Sequence, residues 1–478
     1  MKLHLPIALF AAVTMTMSYA AAYSNIVDEN GELVTSIVKE YGTGATGSGY
    51  GVSNRENGAP IESVVHTIKD GADMKSVLGG IHIASGADGN NNHHNDQPLI
   101  DAGTDTVSIA NGVTINVEGG KVGQIKGGNS ISSGGEAAVA ALGEKVNVGS
   151  IAINVTGGEI GMVDKPDEEA IMGGGGRWCG TADNAGIEVN ISGGLIHNTV
   201  YAGTNGGSTG YTKLNITGGT IESNVYGAGR KDFGVVLGNT EVNVSGGKIN
   251  GNVYAAGDQD TVMGDAVVTV SGNAQINGIV SGGGTNGSTV EGMSILNIGT
   301  QTALKIDNFD VLNVQTSAVL DELTTDNGGT QINIEYGASL SLNEVIITGQ
   351  NNAVVLNGFK PDVNFGNAHF TIVLSNELMA SGGSLTFDLV AADLQTMLFF
   401  DVDAIDKEDI SFVLEDGTVF NPNPTDFDVA STLRSNVDMN NPGDDKHGIV
   451  VTLTVPEPTT ATLSLLALSA LAARRRRK

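Results

Sequence analysis

The feature that most constrains this chain is a short repeat in its middle. One copy reads Val242-Asn243-Val244-Ser245-Gly246-Gly247, followed by a second apolar segment with Ile249 and Val253-Tyr254. Val242 and Val244 alternate with polar residues, as in a strand with one buried face, and the two glycines allow a tight turn. A unit this short cannot bury its own apolar face. It must therefore stack on neighbouring copies of itself.

The copies keep one internal register. The first glycines of successive copies stand 38, 36, 25, 28 and 26 residues apart. The first segments begin at Ile115, Ile153, Val189, Leu214, Val242 and Val268, and three second segments carry Tyr201, Tyr226 and Tyr254. A period near 26 with two or three short strands predicts the coils of a parallel β-helix, in which each strand pairs with its equivalent one coil away. The aliphatic side chains should point inwards.

An asparagine stands between the two aliphatic residues in five copies. These residues are Asn116, Asn154, Asn190, Asn215 and Asn243. Stacked coils would place them in one column, along which their amides can hydrogen-bond. Four of these positions also spell Asn-x-Ser/Thr, but a recurrent strand position is poor evidence for glycosylation.

The first 22 residues have the pattern of a secretory signal peptide. Lys2 precedes an apolar run from Leu5 to Met17, and Ser18-Tyr19-Ala20 or Ala20-Ala21-Ala22 offers a cleavage site with small residues. The alternative is a buried N-terminal helix. The lone cysteine, Cys179, permits no disulfide within the chain and is expected to be buried.

The C-terminal segment has three parts in a fixed order. Val455-Pro456-Glu457-Pro458 comes first, an apolar run follows, and Arg474-Arg475-Arg476-Arg477-Lys478 ends the chain. As a helix, Thr459 to Ala473 would span about 22 Å, which is short for a hydrocarbon core of about 30 Å. The terminal cations would keep that end in the cytoplasm.

This tail resembles the PEP-CTERM sorting signal of exported bacterial proteins. The resemblance implies that an exosortase-type membrane protease is a partner and that the inner membrane holds the precursor transiently. It further implies removal of the tail and a final location at the cell surface, in the outer envelope or outside the cell. An ordinary C-terminal membrane anchor is the alternative. The body repeats resemble autotransporter passenger domains, although no C-terminal membrane barrel follows them.

These patterns divide the chain into five parts. They are a signal peptide (1–22), an irregular N-terminal cap (23–100), a β-helix repeat region (101–360), a C-terminal β module (361–454) and the sorting signal (455–478). Val77-Leu78-Gly79-Gly80 looks like a degenerate second segment, so stacking can begin before residue 100. The predicted fold class is all-β: a parallel β-helix with these two end regions, followed by a short C-terminal membrane helix.

The body is strongly acidic. The chain has 24 basic and 53 acidic residues, of which six basic and one acidic lie in the two terminal segments, so the net charge of the body is −34. Such a body repels nucleic acid and other polyanions. It is compatible with divalent cations, basic partners, and glycans or extracellular polysaccharide of neutral charge.

The candidate catalytic residues form a weak cluster after the third tyrosine segment. Asp258, Asp260 and Asp265 stand there, and Arg230-Lys231-Asp232 occupies the matching place one coil earlier. Stacking would bring these turns within about 5–10 Å. Glycan-active enzymes need converging carboxylates, but aspartate is common in turns for backbone reasons alone. We expect no cofactor, with a structural Ca²⁺ as the alternative.

Other chemical signals are weaker still. His93-His94-x-Asp96 lacks a third well-spaced metal ligand, and no metal site is predicted. Trp178 lies in the longest insertion, 162–183, where it either offers a ring to a sugar or plugs the base of the loop. The sequence thus predicts an exported, surface-displayed or matrix-associated protein that is adhesin-like or structural and non-enzymatic. The alternative is an extracellular polysaccharide lyase or glycosidase.

Overall fold

A computed structural model describes most of the chain. The described residues are 14–15, 36–52, 61–83, 109–131, 148–176, 179–181, 185–231, 234–326, 329–348, 351–358, 362–364, 368–381, 383–391, 407–422, 426–431 and 447–455. They fall into two compact units, Met1–Ser294 and Ile295–Lys478.

The described part of the first unit consists of short strands. In chain order they are β1 Thr14–Met15, β2 Ser36–Tyr41, β3 Thr46–Val52, β4 Ile61–Ile68, β5 Asp73–Ile83, β6 Ile109–Val117, β7 Lys121–Val122, β8 Ile125–Lys126, β9 Ser130–Ile131, β10 Ile151–Val155, β11 Glu159–Ile160, β12 Glu169–Met172, β13 Gly186–Ile191, β14 Leu195–Ile196, β15 Thr199–Tyr201, β16 Ser208–Thr209, β17 Tyr211–Ile216, β18 Thr220–Ile221, β19 Val225–Tyr226, β20 Val235–Val236, β21 Thr240–Val244, β22 Lys248–Ile249, β23 Val253–Tyr254, β24 Thr261–Val262, β25 Ala266–Ser271, β26 Gln275–Ile276, β27 Ile279–Ser281 and β28 Thr289–Val290.

The longer strands of this unit stack in parallel. Their order is β1-β2-β4-β6-β10-β13-β17-β21-β25, so each pairs with the equivalent strand of the adjacent coil. Two further columns of two- to four-residue strands run beside it, for example β14-β18-β22-β26 and β15-β19-β23-β27, and β16-β20-β24-β28 form a separate sheet. This nearly all-β arrangement of parallel sheets agrees with the predicted β-helix.

The register confirms the columns expected from the repeats. Asn154 pairs with both Asn116 and Asn190, and the column continues through Asn215 to Asn243. The aliphatic residues on either side of each asparagine point inwards; Val242 and Val244, for instance, have no exposed surface. At the turn, Gly247 has φ +76°, which an L side chain rarely adopts.

Strands already occur in the region interpreted as an irregular cap. β2 to β5 lie within 36–83, and β4 pairs with β6 of the first clear repeat. Val77 and Leu78 stand beside Ile125 and Lys126, which is the place of the second segment. Coils therefore stack in this unit from Ser36 onwards.

The described residues of the second unit form strands of two to nine residues and one short helix. In chain order they are β29 Ser294–Gly299, β30 Leu304–Asp307, β31 Val311–Val314, β32 Ala318–Thr325, β33 Thr330–Ile334, β34 Ser339–Leu342, β35 Glu344–Ile347, β36 Asn351–Gly358, β37 Asp362–Asn364, β38 His369–Leu374, helix α1 Asn376–Ser381, β39 Gly383–Ala391, a 3-10 turn Lys407–Asp409, β40 Ile410–Leu414, β41 Val419–Phe420, β42 Phe427–Ser431 and β43 His447–Val455.

Pairing in the second unit changes from parallel to antiparallel. β29-β31-β33-β36-β39 are parallel neighbours, and a second amide column joins Asn297, Asn313, Asn333 and Asn357. β43 then pairs antiparallel with both β39 and β42. Among the described residues no helix is long and apolar enough to cross a membrane, and the predicted membrane helix from Thr459 to Ala473 lies outside them.

Candidate functional site

Stacked turns bring Arg230 and Asp258 together, as the repeat spacing predicted. The two residues occupy matching places on adjacent coils, and Thr285 follows on the next. One carboxylate oxygen of Asp258 lies 3.9 Å from Arg230 Nε. The other accepts hydrogen bonds from Thr285 Oγ1 at 3.1 Å and Asn286 Nδ2 at 2.7 Å. The carboxylate of Asp258 is thus held by its neighbours on both sides.

Asp260 is buried instead of facing the same surface. Only 2% of the residue is exposed. Its carboxylate accepts hydrogen bonds from the Gly229 N–H at 2.6 Å and from Ser288 Oγ at 3.0 Å, so that it links three successive coils. Burial raises the pKa of Asp260 to about 6, although these hydrogen bonds oppose the shift. This geometry is that of a structural link between coils.

Asp265 has hydrogen-bond partners that differ from those of Asp258 and Asp260. Its carboxylate accepts a hydrogen bond from the Met293 N–H at 2.9 Å, and its own N–H donates to Asn239 Oδ1 at 2.9 Å. The three predicted candidates therefore each have their own partners. Within the described residues, no group of three or more His, Cys, Asp or Glu side chains could hold a metal ion, and Asp232 lies outside them.

An ionic strip continues from Asp258 along the stack. Arg230 Nη1 lies 3.3 Å from Glu169 Oε2, and Lys126 Nζ lies 3.3 Å from Glu169 Oε1. The Glu169 side chain is only 7% exposed, so its charge needs both cations. We call Lys126, Glu169, Arg230 and Asp258 the ionic strip. The ion pairs of Glu169 were not predicted from the sequence. Glu169 lies in an insertion that lacks the repeat pattern, so the sequence does not show which residues of the neighbouring coils it lies beside.

A stack of three tyrosines lies close to the ionic strip. Adjacent ring centroids of Tyr201, Tyr226 and Tyr254 are 4.6 Å apart, with interplanar angles of 12° and 14°. Met172 packs against the same cluster. Burial raises the pKa of both Tyr201 and Tyr226. Since the rings face one another, the faces between them are not open to a sugar ring.

His197 bridges two glutamates on the coils before and after its own. Its Nε2 lies 3.1 Å from Glu159 and its Nδ1 lies 2.7 Å from Glu222. Partial burial lowers the pKa of His197, but the hydrogen bonds and charges of the two glutamates outweigh it, so the pKa is raised overall. Lys121 forms an ion pair of 2.8 Å with Glu159. These contacts join neighbouring coils by charge.

The first coils contain ionisable groups at core positions. His66 is fully buried and pairs in register with Ile115, and its Nδ1 is 3.0 Å from the Tyr41 hydroxyl. Lys39 pairs with His66 and donates a hydrogen bond to the Tyr50 carbonyl. Burial, with the nearby Lys39 charge, lowers the pKa of His66 to about 3, and burial lowers that of Lys39 to about 8.

The remaining residues singled out in the sequence are either buried or outside the described part of the chain. Cys179 is buried, and its burial raises the pKa of the thiol to about 12, which leaves it protonated at neutral pH. His93, His94, Asp96 and Trp178 lie outside the described residues.

The C-terminal segment leaves the body directly from a strand. Val455, the last residue of β43, is 4% exposed and pairs with Gly383, and the Thr454 N–H donates to the Asp426 carbonyl at 2.8 Å. Pro456, Glu457, Pro458 and the basic residues Arg474 to Lys478 lie outside the described residues. A family model described as the PEP-CTERM protein-sorting motif matches residues 454–478.

The chain carries a PEP-CTERM sorting motif. This motif is the recognition signal for exosortase processing, and it indicates export and a membrane-anchored precursor before processing. The matched segment covers the tail alone and says nothing about the body. No curated protein and no solved structure matches the chain.

Proposed function

We propose that the mature protein is a non-enzymatic, adhesin-like or structural component of the cell surface or extracellular matrix. The PEP-CTERM motif accounts for export and for a membrane-held precursor. The stacked β coils place equivalent side chains at regular intervals along an extended surface, which suits display. In this proposal an exosortase-type protease removes the tail, and the body then stays attached to the surface or is released.

The observation that supports a non-enzymatic body is the separation of its carboxylates. Asp258 belongs to the ionic strip, Asp260 is buried against backbone N–H groups, and Asp265 accepts a hydrogen bond from the next coil. Hydrolysis or elimination at a glycosidic bond needs two or three acidic or basic groups around one reacting atom. Each of these carboxylates instead stabilises a turn.

We further propose that the second unit ends in a β module, residues 361–454, that directly precedes a short membrane helix. β43 ends at Val455, and the apolar run starts at Thr459. Pro456 and Pro458 keep the intervening residues from continuing either element, because proline lacks the amide donor. Arg474 to Lys478 would then hold the far end of the helix in the cytoplasm.

Mass spectrometry of the surface fraction tests the delivery part of this proposal. We expect most molecules to end near residue 458. A variant with Arg474 to Lys478 changed to serine should remain in the membrane fraction or be mislocalised. An intact Lys478 on most surface molecules would show that the tail is only an anchor.

An assay for polysaccharide cleavage tests the non-enzymatic part. The mature protein is incubated with a panel of neutral and acidic polysaccharides while reducing ends and unsaturated products are measured. We expect no turnover above that of the buffer. Reproducible turnover that Asp258→Ala or Asp260→Ala abolishes would establish the polysaccharide-active enzyme instead.

A further inference from the structure

The outer face of the long strands in the first unit carries two columns of mostly uncharged side chains. One is the amide column from Asn116 to Asn243. The other lies two residues further along each strand or just past its end, where side chains point to the same side. We call both columns together the amide–hydroxyl strip; its hydroxyl members are Thr156, Ser192, Thr217 and Ser245, all exposed.

The side-chain amides of the strip are held in place by hydrogen bonds to one another, and these bonds use only about half of their donors and acceptors. Each amide donates one hydrogen bond to the previous asparagine, at 2.9, 3.0, 2.8 and 3.0 Å along the column. An amide has two N–H donors and an oxygen with two lone pairs. The three inner asparagines, Asn154, Asn190 and Asn215, thus each keep one N–H and one lone pair beyond the ladder. These groups cannot rotate away, so binding through them loses little side-chain entropy.

The hydroxyl column adds acceptors in the same orientation. Thr156 Oγ1 donates to the Val117 carbonyl at 3.3 Å, and Ser192 Oγ donates to the Val155 carbonyl at 3.4 Å. Their oxygen lone pairs remain, because a hydroxyl can donate one hydrogen bond and accept two. The strip therefore offers rows of donors and acceptors about 4.8 Å apart along the stack and roughly 6.6 Å apart across it.

The asparagines and hydroxyl residues that define the strip are uncharged although the body is strongly acidic. Glu118 occupies the hydroxyl column at one end, and the Lys213–Glu241 ion pair of 3.1 Å lies in the column on the other side of the asparagines. A polyanion approaching the strip would meet the net negative charge of the body. A protein partner would find no apolar centre of the kind that interfaces bury. A neutral, hydroxyl-rich chain meets neither obstacle.

We propose that the amide–hydroxyl strip binds one chain of a neutral polysaccharide lying along the stack. The five coils from Asn116 to Asn243 span about 19 Å at the usual strand spacing, enough for several sugar residues. Sugar hydroxyls donate to the amide and hydroxyl oxygens and accept from the remaining amide N–H groups. This inference rests on the proposed display outside the cell, where such chains occur.

Co-sedimentation of the processed protein with cellulose, chitin and an insoluble β-1,3-glucan tests the proposal, with alginate beads as the acidic probe. We expect at least one neutral polymer to retain the protein and alginate to retain none. The double variant Thr156→Glu/Thr217→Glu should lose at least about tenfold in affinity, equivalent to about 1.4 kcal/mol. Thr156→Val/Thr217→Val, which adds no charge and suits a strand, should show a weaker loss.

The matched control places the same charges elsewhere. Ser208→Glu/Gln275→Glu alters two exposed residues of β16 and β26, away from the strip, and should bind within about twofold of the unmodified protein. Thermal unfolding of each variant checks that it is folded. The proposal is overturned if no neutral polymer retains the protein, if alginate binds it best, or if the two glutamate variants weaken binding equally.

Two further measurements separate this proposal from the proposed function. Antibody labelling of intact cells shows whether the protein is displayed; display without binding contradicts the strip proposal alone. Cleavage of a bound polymer contradicts the non-enzymatic function but not binding at the strip. Sedimentation velocity tests whether the strip joins two copies of the chain, and a dimer that the Thr156→Glu/Thr217→Glu variant dissociates would overturn the polysaccharide proposal.

Discussion

The side-chain amide of Asn243 donates a hydrogen bond of 3.0 Å to Asn215, and Asn215 donates one of 2.8 Å to Asn190. Asn215 thus has two partners in the column, whereas Asn116, at the column's end, accepts one ladder bond from Asn154. We expect Asn215→Ala to lower the unfolding free energy by about 1–2 kcal/mol and Asn116→Ala by about half as much. Urea unfolding of both variants checks this order, and equal effects would contradict a contribution that depends on the number of ladder bonds.

Val244→Asp should be severely destabilising. Val244 is fully buried between Ile216 and Val270 of the adjacent coils, so the new carboxylate would be unpaired inside the stack. We expect a loss of more than about 4 kcal/mol or a failure to fold. Ser245→Asp, at the exposed neighbouring position, should change stability by less than about 0.5 kcal/mol. A similar urea midpoint for the two variants would contradict the inward direction of Val244.

His197 should stabilise the first unit more in mild acid than in mild base. Its folded-state pKa is raised, so its contribution is complete below the unfolded value of about 6.5 and is lost as pH rises through the folded value. The urea midpoint of the unmodified protein should therefore exceed that of His197→Gln by more at about pH 5.5 than at about pH 8.5. A difference that does not change with pH would show that folding leaves the pKa of the His197 ring unshifted.

The first coils should lose stability in acid. The folded-state pKa of His66 is about 3, below the unfolded value of about 6.5, so its contribution is complete above pH 6.5 and is lost as pH falls towards 3. Lys39 has a folded-state pKa of about 8. The stability that is lost when this buried side chain becomes charged is therefore already lost at neutral pH. Lys39 and Tyr41 lie beside His66, and Ile115 pairs with it in register. A backbone hydrogen bond with Gly79 opposes the lowering of the His66 pKa, but none of these groups carries a negative charge that would neutralise an imidazolium.

Amide hydrogen exchange locates this acid response. Protection factors in Ser36–Tyr41 and Ile61–Ile68 should fall between pH 7 and pH 5, while those in Thr240–Val244 stay constant. His66→Ile, which places isoleucine beside Ile115, should abolish the fall. His369→Gln, a change at an exposed histidine, should leave it intact. Uniform loss of protection along the chain would contradict a local effect of His66.

The columns of the first unit could be predicted because they depend only on local pattern. The alternation around Asn154 and Asn190 fixes which residues point inwards, and the following Gly-Gly fixes the register from coil to coil. Any sequence that keeps both signals places equivalent residues side by side. The amide ladder follows from these signals without knowledge of the intervening loops.

Other features could not be predicted, because they depend on contacts across coils of unequal length. Arg230 contacts Glu169, which lies 61 residues earlier in the sequence, with one complete coil between them. Lys39 and His66 occupy inward positions where the clear repeats have aliphatic residues, so the alternating pattern fails in the first coils although strands form there. The antiparallel strands at the end of the second unit could not be predicted, because the sequence shows no repeat there.

The attachment of the sorting segment to β43 has a mechanical consequence. β43 forms nine residue pairs with β39 and five with β42, and its last residue, Val455, is followed in the sequence by Pro456 of the sorting segment. Tension along the chain, from the membrane segment or from a later attachment, would load these pairs lengthwise and in parallel. Such a strand resists shear until many hydrogen bonds break together, so a force applied at the tail would meet these pairs before it unravelled the stacked coils.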